Sequence, residues 1–454
     1  LLRQSPLPPT YSLMLTYLQQ RRKLLAEISS FPLLLWSGSA SPRNFPALRY
    51  PFRASSHFLY FAGFPLENAV IYVAEGGLEL FWDEPSRDAA LWQGESPSRQ
   101  EIGEKMGAQA THPLSKLPPY LPLAASFPAI DLKTYQEQCH LLGRSLSPLN
   151  GKDLDLAHSV ITLRLKHDPL ALEEIKKAIE VSIKAHLVGM QTVKHSSSEA
   201  EVRAAIESVI MTNNMTNAYN SIVTVEGEVL HNEHYHNKLV KGDLLLVDVG
   251  AETPLGWAAD ITRTYPVSGT FSPTQRDLYE VVLAAQKACI NKIAPGVEYE
   301  SIHLTAAQIL TEGLINLGIL RGSTEEIVNN DAHALFFPHG IGHLLGLDVH
   351  DMEDLGDLAG YAKGRKRSHR FGLNYLRLNR PLEAGMVVTI EPGFYQIPSL
   401  LKSNKDYVNW ETLANFKDVR GIRIEDDVLV TGSGYEVLTA GLPKTIQEIE
   451  AIIS

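Results

Sequence analysis

The chain has 454 residues, 44% of them hydrophobic and 20% charged, with a formal net charge of −11. That length exceeds one ordinary core, so two domains are expected, and the acidic balance excludes a general nucleic-acid binder, which is usually basic. Only two cysteines, Cys139 and Cys289, are present, which rules out a disulfide framework and a thiolate zinc cluster.

In chain order, TYSLMLTYLQQRRKLLAEI (10–28) has apolar positions three to four apart and reads as a helix. FPLLLWSG (31–38) reads as a short buried strand, and ENAVIYVAEGGLELFW (67–82) as a β-hairpin turning at Gly-Gly. The Pro-rich stretch THPLSKLPPYLPLAASFP (111–128) is expected to be loop. Asp168 is the expected N-cap of a helix that starts at Pro169, and the domain boundary is placed just before it, giving domains 1–165 and 166–454. Beyond it, 198–214 and 272–293 are amphipathic, and strands are expected at 243–250, 386–395 and 422–432. KGRKRSHR (363–370) is a basic run expected to be a solvated loop. No apolar run approaches the roughly 20 residues that span a bilayer. No signal-peptide pattern opens the chain, so a cytoplasmic protein without membrane partners is expected. The chain begins with Leu1 instead of Met, which leaves open whether residues precede it.

Carboxylates stand where strands should be apolar. LLLVDVG carries Asp248; a turn around TPLG (253–256) leads to a return strand carrying Asp260. Asp is depleted in strands and is rarely buried unpaired. Two facing aspartates repel unless a cation lies between them. VVTIEPGFY and GIRIEDDVLV add Glu391 and Glu425, with Arg423 and Glu425 on one strand face and Ile422, Ile424 and Asp426 on the other. The segment FFPHGIGHLLGLDVHD (336–351) adds His339, His343 and His350 among glycines. Four carboxylates and one imidazole form a hard ligand set suited to a pair of Mn²⁺, Co²⁺ or Zn²⁺ ions.

The order Asp248, Asp260, His343, Glu391, Glu425 resembles the metal ligands of the pita-bread metallopeptidases. DITRTYPVSG, PHGIGHLLGLDVHD, MVVTIEPG and GIRIEDD resemble the motifs of the proline-specific branch, prolidase and aminopeptidase P. YPFRASSHFLYFAGF (51–65) resembles part of the N-terminal domain those two enzymes share. The resemblance implies an α+β architecture: a pita-bread catalytic domain preceded by a smaller α/β creatinase-like domain. It further implies that Asp248 binds one metal, that His343 and Glu391 bind the other, and that Asp260 and Glu425 bridge the pair. A metal-bridging hydroxide would attack the Xaa-Pro bond of short proline-containing peptides, with Glu391 moving its proton. His350 would stabilise the oxyanion, and His339 would sit beside the substrate proline. His231 would line the pocket, with His234 and His236 as bystanders. Arg423 would orient neighbouring carboxylates.

Asp248 and Asp260 are twelve positions apart where the family usually has eleven, and the extra residue fits the TPLG turn. Arg377, fourteen residues before Glu391, matches a prolidase arginine that clamps a dipeptide's carboxylate. On that residue the reading leans to a manganese-dependent Xaa-Pro dipeptidase. Xaa-Pro aminopeptidase is the alternative, favoured by the spacing around His231, and a non-catalytic binding protein is a remote one. A homodimer is expected from the family, while Asp348 and Asp351 receive no role.

Overall fold

The computed structural model describes residues 9–402 and 406–454. Contacts divide the chain into two compact units, Leu1–Arg164 and Leu165–Ser454.

In the first unit, helix α1 (Pro9–Ile28) accompanies a five-stranded sheet. Its strands, in spatial order, are Ala110–His112, Gly77–Phe81, Val70–Ala74, Leu33–Trp36 and Ala125–Ser126. Leu33–Trp36 is buried along its whole length, which is why its sequence shows no polar alternation. The hairpin turns one residue earlier than Gly-Gly: Ala74 pairs with Gly77, and Glu75 (φ 51°) and Gly76 (φ 78°) form the loop. Positive φ at both central residues matches the right-handed twist of the flanking strands. The Pro-rich stretch is not all loop. Two short proline-free segments at its ends, Ala110–His112 and Ala125–Ser126, are the two outer strands, each parallel to its neighbour.

The second unit begins with helix α2 (Pro169–Thr192), capped by Asp168, whose carboxylate accepts from the Ala171 N–H at 2.8 Å. Such a cap is worth about 1 kcal/mol. It packs on Glu199–Thr212, and Pro273–Asn291 packs on Tyr299–Asn316. Among the strands, Leu244–Asp248 lies antiparallel between Ile222–Thr224 and Thr262–Pro266. Asp248 pairs with Thr262, so Asp260 stands in the approach to the return strand instead of on it.

The two remaining long strands are each interrupted. Val387–Ile390 pairs with Asp426–Val430, and Gly393–Tyr395 pairs with Gly421–Arg423. The gap holds Glu391 and Pro392 on one side and Ile424 and Glu425 on the other. Pro392 has no N–H for the ladder. The Glu391 N–H instead donates to the Ile341 carbonyl at 2.9 Å, and the Glu425 N–H to the Thr262 carbonyl at 3.0 Å. Register is the same on both sides of the gap, which sets Glu391 opposite Glu425.

Candidate active site

The five expected metal ligands, Asp248, Asp260, His343, Glu391 and Glu425, line one cavity of about 730 Å³. The Tyr219 hydroxyl lies 2.6 Å from both Asp248 Oδ1 and Asp260 Oδ1. A phenol has one proton, so it satisfies only one of these carboxylates at a time. Asp248 Oδ2 accepts from Arg423 Nη2 at 2.7 Å. Against the cost of burial, Arg423 and Tyr219 hold the Asp248 carboxyl below its usual range.

The other three acids have no such cation. Burial and the charge of Asp248 push Asp260 well up, and burial with the charges of Asp260, Glu391 and Asp248 does the same to Glu425. Glu391 is pushed up to about 8 by burial and by Asp260 and Asp248, against the pull of Arg423.

His343 completes the centre. Burial lowers its imidazole to about 4, so it is neutral at pH 7. Its Nδ1–H donates to the Leu344 carbonyl at 3.0 Å, which leaves the Nε2 lone pair 3.3 Å from Asp260 Oδ2 and 3.6 Å from Glu391 Oε1. A lone pair facing ionised carboxylate oxygens is repulsive unless a cation or a carboxyl proton lies between them. Ligand atoms of Asp260, His343 and Glu425 all lie within 4.8 Å of one another. The donor set therefore fits hard or borderline divalent metals.

Backbone economy places His343. A side chain on Gly342 (φ 155°) would meet the Thr389 carbonyl at 2.2 Å, so only glycine lets the loop lie against that strand. The same close approach allows the Thr389 N–H to donate to the His343 carbonyl at 3.0 Å.

Arg423 is buried among Thr262 Oγ1 (3.1 Å), the Tyr395 hydroxyl (3.1 Å) and Asp248. The Tyr395 hydroxyl also meets His339 Nε2 at 2.8 Å, while His339 Nδ1 meets the Gly340 carbonyl at 2.8 Å. Both nitrogens of His339 are thus engaged by the protein. It lines the cavity with both ring nitrogens turned to protein partners.

His350 lies against His343, ring centroids 4.3 Å apart, and its Nδ1 is 2.6 Å from Glu353 Oε2. The other Glu353 oxygen accepts from Arg377. The hydrogen bond to His350, reinforced by the charges of His350 and Arg377, holds the Glu353 carboxyl down at about 2. His231 and Arg377 line the cavity, together with Arg367, Phe371 and Tyr375 from the ten residues before Arg377, while His234 and His236 are not among its lining residues. The basic run is more than a solvated loop: Arg365 pairs with Glu298 (2.6 Å), Arg367 with Asp357 (2.5 Å) and Arg370 with Asp331 (2.8 Å). Asp351 closes a turn by accepting from the Asp348 N–H at 3.2 Å.

Tyr219, Tyr395, Thr262 and Glu353 are the site residues that sequence reasoning passes over. Only Thr262 carries a signal, being two residues beyond Asp260 and hence on its side of an extended chain.

A neutral imidazole, three buried carboxylates and the partly buried Glu391 converging in a cavity define a metal-dependent enzyme centre. Metallopeptidase family M24 matches residues 173–432, and the aminopeptidase P N-terminal domain matches residues 17–128. The chain is 34% identical over 421 residues to a probable Xaa-Pro aminopeptidase PEPP of Phaeosphaeria nodorum, covering 89% of this chain and 87% of the relative. The aminopeptidase PepP of Pseudomonas aeruginosa superposes with a TM-score of 0.80 at 28% identity, covering 97% of this chain and 98% of that one. Zn-substituted Escherichia coli aminopeptidase P in complex with product gives 0.79, at 28% identity and the same coverages of 97% and 98%.

The chain belongs to metallopeptidase family M24, in the proline-specific branch that carries the aminopeptidase P N-terminal domain. Its fold is the α+β pita-bread architecture expected from the motifs, and it is a metal-dependent peptidase. Among the described residues, no helix is long and apolar enough to cross a membrane.

Proposed function

We propose that this chain is an Xaa-Pro aminopeptidase, releasing the first residue of peptides whose second residue is proline. The observation that carries this reading is the match to Xaa-Pro aminopeptidases across both domains. It shifts the balance from the dipeptidase expectation to its alternative. The engagement of Arg377 by Glu353 points the same way, since that guanidinium already holds a carboxylate. Persistence of all five ligands argues against a non-catalytic binding protein.

In this proposal Asp248, Asp260, His343, Glu391 and Glu425 are the residues that would hold divalent cations. Manganese is the proposed metal, with Co²⁺ or Zn²⁺ as substitutes. When bound, such ions supply Lewis acidity toward the scissile carbonyl and lower the pKa of water. Glu391 takes up the proton of the attacking water. His350, its Nδ1 held 2.6 Å from Glu353 Oε2, is the ring proposed to face the developing oxyanion. Arg423, through Asp248, Thr262 and Tyr395, fixes the orientation of the acid centre. His231 and the ring of His339 shape the wall against which the proline rests.

The proposed domains are 1–165 and 166–454, and a cytoplasmic homodimer is the proposed form. Two free cysteines suit a reducing compartment, and the exposed Leu91 (81%) and Trp92 (87%) suit an intersubunit contact.

The test compares Xaa-Pro-Yaa, Xaa-Pro and Xaa-Ala-Yaa as substrates of the Mn²⁺-loaded protein. Faster cleavage of the tripeptide than of the dipeptide, with the alanine peptide resistant, is expected. Preference for the dipeptide would return the reading to dipeptidase, and no cleavage by metal-loaded protein would reject both.

A further inference from the structure

The cavity wall carrying Arg377 reaches the acid centre through three side chains in series. His350 Nδ1 lies 2.6 Å from Glu353 Oε2, and Glu353 Oε1 accepts from Arg377 Nη1. His350 and Arg377 both line the cavity. A protein carboxylate therefore occupies a guanidinium that faces the substrate space. Glu353 is placed there by local backbone: Met352 adopts a left-handed conformation (φ 60°), which turns the chain so that residue 353 folds back on His350. The pair is accessible from outside, with side-chain exposures of 35% for Arg377 and 48% for Glu353. An exposed pair of this kind is held weakly enough to be exchanged.

The chemistry of exchange separates two kinds of peptide. A planar guanidinium seats a carboxylate on two parallel N–H bonds. A dipeptide bound at the centre carries its free carboxylate one residue beyond the scissile bond. Arg367, Arg377 and Arg423 line the cavity, and at Arg377 Glu353 would meet that carboxylate as a like charge. A longer peptide has a neutral amide at the same point and meets no such repulsion.

We propose that Glu353 is a specificity-determining residue: its carboxylate occupies Arg377 in place of a dipeptide's terminal carboxylate and so biases the enzyme toward longer peptides. This rests on the Xaa-Pro peptidase reading above and adds to it the residue that sets the length preference. Because Glu353 also holds His350, its loss lowers turnover of every substrate, and the substrate ratio is the informative quantity.

The experiment measures kcat/KM on an Xaa-Pro dipeptide, its C-terminal amide and the Xaa-Pro-Yaa tripeptide. It uses Mn²⁺-loaded wild type, Glu353→Gln, Glu353→Ala and the double variant Glu353→Ala/Arg377→Ala. Both single variants are expected to raise the dipeptide-to-amide ratio by about tenfold, the scale of one charge-assisted hydrogen bond, while absolute rates fall. The double variant is expected to lose that gain. An unchanged ratio, a gain shared by the amide, or a gain that survives loss of Arg377 would each overturn the proposal. Wild-type preference for dipeptides would count against the aminopeptidase reading, yet the change in ratio would still decide the role of Glu353. Calorimetric binding of the dipeptide and its amide reads the same competition without turnover, so a catalytically silent preparation is equally decisive: equal affinity ratios in wild type and Glu353→Ala reject the proposal.

Discussion

The acid centre trades stability for metal binding, and Glu425→Gln exposes the trade. Ligand atoms of Asp260 and Glu425 lie within 4.8 Å. Two full charges at that separation repel by about 3.5 kcal/mol at an effective dielectric of about 20. The metal-free protein escapes part of this by keeping carboxyls protonated, so a net relief of about 1–3 kcal/mol is expected from neutralising one of them. The amide oxygen of Gln can still accept from the Thr262 hydroxyl, which lies 2.6 Å from Glu425 Oε2, so little else is lost. In a unit of this size the relief corresponds to a melting temperature higher by about 2–6 °C.

The sign with pH follows from the raised carboxyls. A folded-state pKa above the unfolded value contributes stability at low pH that is lost as pH rises. The advantage of Glu425→Gln should therefore be larger at pH 7.5 than at pH 5. Calorimetry of the metal-free proteins reads it directly. Saturating Mn²⁺ should reverse the order, because wild type gains more from a ligand it binds more tightly. Peptidase activity should fall by more than the roughly 10–100-fold typical of residues that only support a metal ligand. Metal-free Glu425→Gln melting at or below wild type at pH 7.5 would refute the account of the centre as a set of mutually repelling acids.

Other consequences can be measured independently. Tyr219→Phe removes the proton shared between Asp248 and Asp260, which should destabilise the metal-free protein by about 1–3 kcal/mol and the metal-saturated protein less; equal losses in both would show that the hydroxyl serves packing alone. Burial lowers the imidazoles of His303 and His333 to about 4 from an ordinary 6.5. Their contribution is thus intact above pH 6.5 and lost as pH falls toward 4, by up to about 1.4 kcal/mol per pH unit for each group, and His303→Leu should flatten the slope of unfolding free energy against pH in that window. Cys289 is fully buried with its thiol pushed up to about 12, whereas Cys139 is half-buried; a thiol reagent should label Cys139 in native protein and both cysteines after denaturation.

The acids of the site are readable in the sequence because each breaks a local rule. Asp248 ends a run of four apolar residues, and Glu425 follows Ile424 in a strand segment that goes on to Val428, Leu429 and Val430, where an unpaired charge costs several kcal/mol. Such residues persist only with a partner, and several of them imply a common one. Tyr219 and Glu353 break no rule. A tyrosine or a glutamate in a polar loop is ordinary, and their roles exist only after the chain closes on partners 29, 41 and 24 residues away. The partners of the basic run stay hidden for a related reason. Arg365 and Arg370 find their acids at Glu298 and Asp331, far outside any window in which charge patterning is read.

The interrupted ribbon shows what alternation alone conceals. Treated as unbroken, 422–432 puts Arg423 and Glu425 on one face, and both do reach the cavity. The break nevertheless changes their surroundings, because the Glu391 and Glu425 backbones turn to other segments for their hydrogen bonds while register is preserved. Like charges directly opposite on an antiparallel pair are destabilising. Here Glu391 and Glu425 face each other across the gap, with the lone pair of His343 directed at Glu391 from a third segment. A slip of one residue in either strand would carry one of the two acids to the other face and disperse the centre. The tight approach at Gly342 and the pairing of Ile390 with Asp426 together hold that register. The juxtaposition of the acids and the strand register thus rest on the same few contacts, so the packing around this gap, and not the identity of the acids alone, brings the donor set together.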